Sequence, residues 1–372
     1  MIYLDHAATS PLLATARREF YRASQFSWGN PNSVHSFGIA AARELERAQR
    51  IVAYCLSCKP EQVIFTSSAT ESCRFAMNAM MYECGSVYIS SFEHKAVSAG
   101  WEDSFRFFGI NRSTSGFAHI HTGNETGEIY DLAKAFEPYT VCFSDCTAAM
   151  GKAPIDFRHG KWSYIAGGGH KFGAPIGIGV LIARKPEVIR ELFHPATPAV
   201  PLAAALAQAL FFRTEHIAEF ADTAGYLHDR LIDGIMEEIP DAQLNGTKYR
   251  GNEKTQSPYI TSISFPNIEN HALVLRMSAD GLMASSGAAC SSGENEPSPV
   301  LLESGYPAAR ARSAVRFSLD YKLDPCAYEF SHDLGIDRRR DEAIIDHAVK
   351  IVARNVREMQ TLSRIHSKEI DI

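Results

Sequence analysis

The chain has 372 residues, 45% of them apolar and 22% charged, with a formal net charge of −6. Such a length predicts two domains in close contact, and the balance is that of an ordinary soluble globular protein. The acidic excess argues against a nucleic-acid surface, no run of about 18 apolar residues offers a membrane span, and the N-terminus Met1-Ile2-Tyr3-Leu4-Asp5-His6 lacks the basic and apolar regions of a signal peptide, so a cytoplasmic protein with no nucleic-acid or membrane partner is expected.

Ala41, Leu45, Ala48 and Val52 recur at helical spacing and predict a helix over Ala40 to Val52. Cys55 and Cys58 follow as a C-x-x-C pair. No second pair stands at zinc-site spacing, so the pair reads as a helix end halted before Pro60, and no metal site is expected. The eight cysteines of so long a chain read as reduced thiols, not as a disulfide framework. Val63-Ile64-Phe65-Thr66 predicts a strand running into Ser67-Ser68-Ala69-Thr70, with a helix from about Glu71. Further strands are predicted at Val87 to Ser90, Val141 to Ser144, Tyr164 to Ala166 and Ile178 to Ile182. Ala203 to Met236 is helical in pattern, Ile260 to Phe265 and Ala314 to Leu319 read as strands, and Asp341 to Leu362 forms one apolar helix face. Strands alternating with helices define an α/β domain with a mostly parallel sheet, followed by a smaller α+β domain. Ligands of such sheets bind at the carboxyl ends of the strands, where the polar motifs fall.

The densest of these motifs is Gly167-Gly168-Gly169-His170-Lys171-Phe172-Gly173. A lysine among glycines, an aspartate at the strand end (Asp145) and a cysteine in a small-residue loop (Cys290) suggest pyridoxal phosphate (PLP) chemistry on a sulfur-containing substrate. Lys171 would form the Schiff base, and a buried Asp145 would need a positive partner, which a pyridinium nitrogen supplies. The Ser67–Thr70 turn, including Ala69, opens a helix whose N–H groups suit a phosphate, with the Thr70 hydroxyl added. His94 follows a strand and could stack on a ring and relay protons. Small flanking residues keep the Cys290 thiol accessible. Arg316, if buried in its strand, needs an anion; a substrate carboxylate and a structural ion pair both qualify.

These segments together resemble the cysteine desulfurase family of PLP enzymes, class V and fold type I. The resemblance runs through Tyr3–Thr9, Gly29-Asn30-Pro31-Asn32-Ser33-Val34-His35, Phe65–Ser72, Glu93–Val97, Gly123-Asn124-Glu125-Thr126-Gly127, His170-Lys171, Ser285–Cys290 with Glu296-Pro297-Ser298, and Arg316-Phe317-Ser318. It implies a large PLP-binding domain over 13–240 with a seven-stranded type of sheet, and a small domain built from 1–12 and 241–372. It also implies that Lys171 holds PLP and moves protons, Asp145 pairs with the pyridine nitrogen, and His94 stacks on the ring as acid or base. Thr70, Ala69 and His170 would bind phosphate, Asn124 would sit near the ring hydroxyl and substrate, and Arg316 would hold the L-cysteine carboxylate with Asn30 nearby. Cys290 would take the sulfur as a persulfide, release alanine and pass sulfur to an acceptor protein. Such enzymes are homodimers.

The chain departs from the family pattern at named places. Asp145-Cys146-Thr147-Ala148 lacks the glutamine that bonds the ring oxygen, and Gly168 stands where a serine phosphate ligand is usual. Gly100 to about Ala118 is short, the lead-in to Thr197 lacks a Gly-rich stretch, and Asp320 to Asp341 carries an insertion. Weaker or spectrally altered PLP binding is therefore expected. A selenocysteine or C–S lyase, and a scaffold subunit with an impaired cofactor site, are the alternative readings. The acceptor is left open among iron–sulfur cluster assembly, tRNA thiolation, cofactor synthesis and other sulfur pathways.

Overall fold

A computed structural model describes all residues except 85, 100–114, 138, 194–196, 252–254, 288–295, 324–335 and 371–372, with side chains described as far as residue 362. Cys290 lies outside the described residues. The strands are β1 (Ile2–Tyr3), β2 (Val63–Thr66), β3 (Ser86–Ile89), β4 (Ser115–Ala118), β5 (Val141–Asp145), β6 (Tyr164–Gly168), β7 (Gly179–Ala183), β8 (Gln243–Asn245), β9 (Ile260–Ser264), β10 (Leu282–Met283) and β11 (Ala314–Ser318). The helices are α1 (Ala14–Phe26), α2 (Ser36–Cys55), α3 (Ala69–Glu83), α4 (Lys95–Ser98), α5 (Leu132–Ala135), α6 (Pro186–Leu192), α7 (Val200–Glu215), α8 (Ile217–Glu238), α9 (Asn270–Ala279), α10 (Pro299–Glu303), α11 (Ala308–Arg312) and α12 (Arg338–Ile370).

Two compact units divide the chain. The larger comprises Thr9–Thr122 and Tyr130–Ile217. Its sheet has the order β2-β7-β6-β5-β4-β3, in which β7 alone runs antiparallel to its neighbours. Strands β6 and β7 are buried at every position, which is why they read in sequence as continuous apolar runs and not as alternating ones. Helix α3 covers one face, packing Ala76, Met77 and Met80 with Phe143, Ala166 and Leu181. Helices α1 and α2 pack on α7. The sheet has six strands among the described residues, one fewer than the seven-stranded type expected. After β3 the chain forms a helical turn capped by His94, and no other described extended segment reaches the free edge of β3.

The second unit comprises Met1–Ala8, Gly123–Ile129 and Ala218–Ile372. It holds the three-stranded antiparallel sheet β11-β9-β8 and the short parallel pair β1-β10. Its core gathers Leu227, Leu231 and Ile235 of α8 with Ile263, Phe265, Val315 and Val352. These units differ from the expected boundaries of 13–240 and of 1–12 with 241–372. Helix α8 belongs with the second unit because its apolar face is part of that core. Residues 123–129 belong there because Gln256 donates its side-chain amide to the Thr126 carbonyl at 2.9 Å and Glu128 bridges Gln256. The single helical pattern over Ala203 to Met236 is two helices, α7 ending with a cap at His216. Among the described residues, no helix is long and apolar enough to cross a membrane.

Glycine sets the spacing between β7 and the β2–α3 turn. A Cβ on Gly179 would overlap the backbone carbonyl of Ser68, the α3 cap. Replacing Gly179 with alanine is therefore expected to cost about 1–3 kcal/mol, the usual toll of overpacking, read as a lower denaturant midpoint with an unchanged slope.

Candidate active site

In the larger unit, three elements converge at the carboxyl ends of the strands. Strand β5 ends at Asp145, paired in register with Ala166 of β6. Strand β6 ends at Gly168 and passes through the single turn Gly169–Lys171. There Ser10 donates its hydroxyl to the Lys171 carbonyl at 3.0 Å, and its amide donates to the His170 carbonyl at 2.8 Å, fixing the turn from outside. The third element is the start of α3. The Ser68 hydroxyl accepts from the Glu71 amide at 3.2 Å, the third amide of the helix, and leaves those of Ala69 and Thr70 ahead of it in the first turn. Helix α3 approaches β6 so closely that a Cβ on Gly168 would lie 3.0 Å from the Ala69 methyl. The glycine density around Lys171 thus serves close packing of the lysine turn against α3. It also explains the departure at Gly168, since a serine there would press on Ala69.

Asp145 is buried, and its Oδ1 accepts the Thr147 amide at 2.8 Å. The Thr147 hydroxyl is buried with no hydrogen-bond partner among the described residues. His94 accepts the Ala96 amide on Nδ1 at 3.0 Å, so the neutral ring carries its proton on Nε2. His170 is half-buried, and burial lowers its pKa, with Lys171 and Lys152 acting in the same direction. A neutral His170 is a hydrogen-bond donor and acceptor without a charge of its own. A buried carboxylate, a buried hydroxyl with no partner among the described residues and the first amides of a helix fit the pyridine nitrogen and phosphate of PLP. The residues that would hold the cofactor are Lys171, Asp145, Thr147, His94, His170, Ala69 and Thr70. Asn30 is exposed on the α1–α2 loop of the same unit, with its Oδ1 accepting the Asn32 amide at 3.0 Å.

Sequence reasoning missed two residues of this unit. Glu93 is buried beside the singled-out His94. Burial first and the Asp145 carboxylate second push its pKa well up, and the His94 amide offsets this only in part. Two carboxylates cannot both ionise cheaply in one buried place, so Glu93 is the protonated partner. Thr147, inside the quoted Asp145-Cys146-Thr147 segment, is the other. A carboxylic acid adjoining a strand-end histidine is the signal that could have marked Glu93.

In the second unit, Arg316 lies on β11 and is buried. Its Nη2 donates to Asp5 at 3.0 Å and its Nη1 donates to the Asn124 carbonyl at 3.0 Å. Its Nε has no hydrogen-bond partner among the described residues. Of the two readings of the arginine, the structural ion pair is present, with Asp5. Asn124 is buried and contributes its backbone to that arrangement. Asp5 is the partner that sequence reasoning missed, 311 positions from Arg316.

Cys290 cannot be placed, but other thiols can. Burial pushes the pKa of Cys55 up to about 11 and those of Cys58 and Cys142 to about 12, and raises those of Cys73 and Cys146 too. These five are poor nucleophiles near neutral pH.

The chain matches the aminotransferase class-V family over residues 2–111 and 108–324. It belongs to that family, whose members that include the cysteine desulfurases depend on PLP. The IscS-like cysteine desulfurase of Mycobacterium tuberculosis is 30% identical over 369 residues, covering 86% of this chain and 92% of its own. The cysteine desulfurase of Gluconacetobacter diazotrophicus is 30% identical over 359 residues, covering 85% of this chain and 88% of its own. Among solved structures, a NifS-like protein shares the fold with a TM-score of 0.78 at 23% identity, over 95% of this chain and 98% of that one. DndA from Streptomyces lividans has a TM-score of 0.64 at 26% identity, over 85% of this chain and 99% of that one.

A protonated Glu93 has a consequence for stability. A carboxyl whose folded pKa lies above its ordinary 4.5 binds more protons folded than unfolded, so stability falls as pH rises above 4.5. Glu93→Gln removes that loss. The variant should exceed the wild type in denaturant midpoint at neutral pH, with the gain shrinking as pH falls towards 4.5.

Proposed function

We propose that this protein is a PLP-dependent cysteine desulfurase that converts L-cysteine to L-alanine and carries the sulfur as a persulfide on Cys290. The observation that carries this reading is the convergence of Asp145, the Lys171 turn and the α3 start at the carboxyl edge of one sheet. The sequence resemblance at Cys290 and the relatives named as cysteine desulfurases add to it.

PLP, when bound, supplies an electron sink for bonds at the substrate's α- and β-carbons. The residues of the chain do the rest. The Asp145 carboxylate would hold the pyridine nitrogen in its charged form, with Glu93 beside it pushed towards its protonated form. His94, with its proton on Nε2, would act as acid or base at the ring. The Lys171 amine anchors the cofactor and moves protons at the substrate's carbons. Arg316 binds the substrate carboxylate through donors fixed by Asp5 and Asn124. The Cys290 thiolate attacks the substrate sulfur. An S–S bond forms as the C–S bond breaks, and the carbon left behind takes a proton, giving alanine and the Cys290 persulfide. A sulfur-acceptor protein is the partner that this product requires.

The reading includes a homodimer. In the larger unit, Phe26, Trp28, Val34 and Phe37 are 67%, 62%, 93% and 54% exposed, and the Trp28 and Phe37 rings lie 5.1 Å apart. Aromatic and aliphatic side chains this exposed, on neighbouring stretches of chain, fit burial against a second copy. Phe37→Asp should shift the wild-type dimer towards monomer in analytical ultracentrifugation. Unchanged sedimentation would place the dimer face elsewhere.

The function is tested by mixing the holoenzyme with L-cysteine, with and without reductant, and measuring alanine and sulfide. Wild type should yield both. Cys290→Ala should retain the PLP spectrum and lose cysteine turnover by more than about a hundredfold, the scale for removing a nucleophile. Turnover that survives in Cys290→Ala would exclude the persulfide route.

A further inference from the structure

Glu125 is a buried acid with no role in the cofactor arrangement described above. It is 3% exposed, on the turn that runs from Gly123 through Gly127. That turn is closed by the Gly127 amide on the Gly123 carbonyl at 2.9 Å and the Gly123 amide on the Glu128 carbonyl at 2.8 Å. One carboxyl oxygen takes a hydrogen bond from Ser298. The same Ser298 hydroxyl accepts the Leu301 amide at 3.3 Å and so caps α10. The other oxygen, Oε2, is buried with no hydrogen-bond partner among the described residues. It faces Gly287, where a Cβ would lie 3.5 Å from it. Gly287 has a φ of +110°, a conformation that side chains disfavour, and its carbonyl accepts the Ser285 hydroxyl at 2.7 Å. Ser285 in turn exchanges both backbone hydrogen bonds with Arg316, at 2.7 and 3.1 Å.

Gly287 and Ser298 are the residues on either side of the stretch that contains Cys290. Asn124, the neighbour of Glu125, holds Arg316 through its carbonyl. We infer that Glu125 is a positioning residue for the sulfur step: its carboxyl holds Ser298 at one root of the Cys290-bearing stretch and lies beside Gly287 at the other, which Ser285 joins to the strand that carries Arg316. Burial raises its pKa, with Ser298 and Arg316 opposing in part. The groups facing it are the Ser298 hydroxyl, the Gly287 backbone and the Arg316 guanidinium. A nucleophile must reach the substrate sulfur while the substrate carboxylate is held, so its roots and the arginine need one common footing. A misplacement of ~1 Å at a reacting group can cost about a hundredfold in rate.

This inference rests on the desulfurase reading of the site. The test uses the holoenzymes of wild type, Glu125→Ala, Glu125→Gln and Ser298→Ala. Two quantities are read: the spectral response of bound PLP to L-cysteine, and the single-turnover rate of persulfide formation on Cys290, followed by alkylation and mass spectrometry. Glu125→Ala should retain PLP and its cysteine response while persulfide formation slows by about ten- to a hundredfold. Glu125→Gln, which keeps the shape and an oxygen to accept from Ser298, should recover most of that rate. Ser298→Ala, the milder change, should show the same separation to a smaller degree and stands in if Glu125→Ala does not fold. An unchanged persulfide rate in Glu125→Ala, or a parallel loss of PLP and cysteine response in every variant, overturns the positioning role. Wild type that responds to cysteine yet forms no persulfide defeats the desulfurase reading itself, and the inference falls with it.

Discussion

One buried carboxylate governs the larger unit. Asp145 sits at the carboxyl end of a central strand, away from water, with a single backbone amide on one of its oxygens. An ion removed from water loses several kcal/mol of solvation unless a positive partner replaces it. The groups around Asp145 are arranged so that no other negative charge competes for that partner. Glu93 keeps its proton, and the thiols of Cys73 and Cys146 are held protonated by burial and by the Asp145 charge. A pyridinium nitrogen is the kind of cation this arrangement accommodates, because it arrives with its own apolar ring and needs one carboxylate oxygen.

The same site depends on how near two backbones can come. Gly179 admits the Ser68 turn and Gly168 admits Ala69, so the start of α3 and the Lys171 turn share one edge of the sheet. That closeness brings the first amides of the helix to the edge that carries Lys171. It accounts for the absence of a serine at Gly168. The alanine at Ala148, where the family pattern has glutamine, is itself nearly buried and offers no side-chain hydrogen bond.

What the sequence made legible follows from the period of its apolar residues. Strands β2, β5, β6 and β7 are short apolar runs bounded by polar strand ends, and their positions come within two residues of the reading from sequence. The continuous helical pattern from Ala203 hid a break at His216, since both helices carry apolar residues through it. The unit boundary at Ala218 was equally hidden, because which core a helix face joins is a tertiary fact. The site residues quoted for their chemistry fall into two groups, Asp145, His94, Thr70 and Lys171 in one unit and Arg316 and Asn124 in the other. Asp5, Glu93 and Glu125 escaped notice because their roles come from burial and from partners distant in sequence, although each lies within or beside a quoted motif.

Charge is handled in opposite ways in the two units. The larger reserves a negative group for a cation. The second buries a cation that is already partly answered: Asp5 takes Nη2 of Arg316, and the Asn124 carbonyl takes Nη1. Asp5 is the wetter partner, at 22% side-chain exposure against 4% for the arginine, so it neutralises the guanidinium without sealing it from water. The nitrogen with no partner among the described residues, Nε, shares an edge of the planar guanidinium with Nη2. A carboxylate that binds this edge in the two-point manner typical of arginine would take Nε and share Nη2 with Asp5. Asp5 therefore does more than compensate charge. With the Asn124 carbonyl on Nη1, it fixes the plane of the guanidinium and thereby the edge that a carboxylate would use.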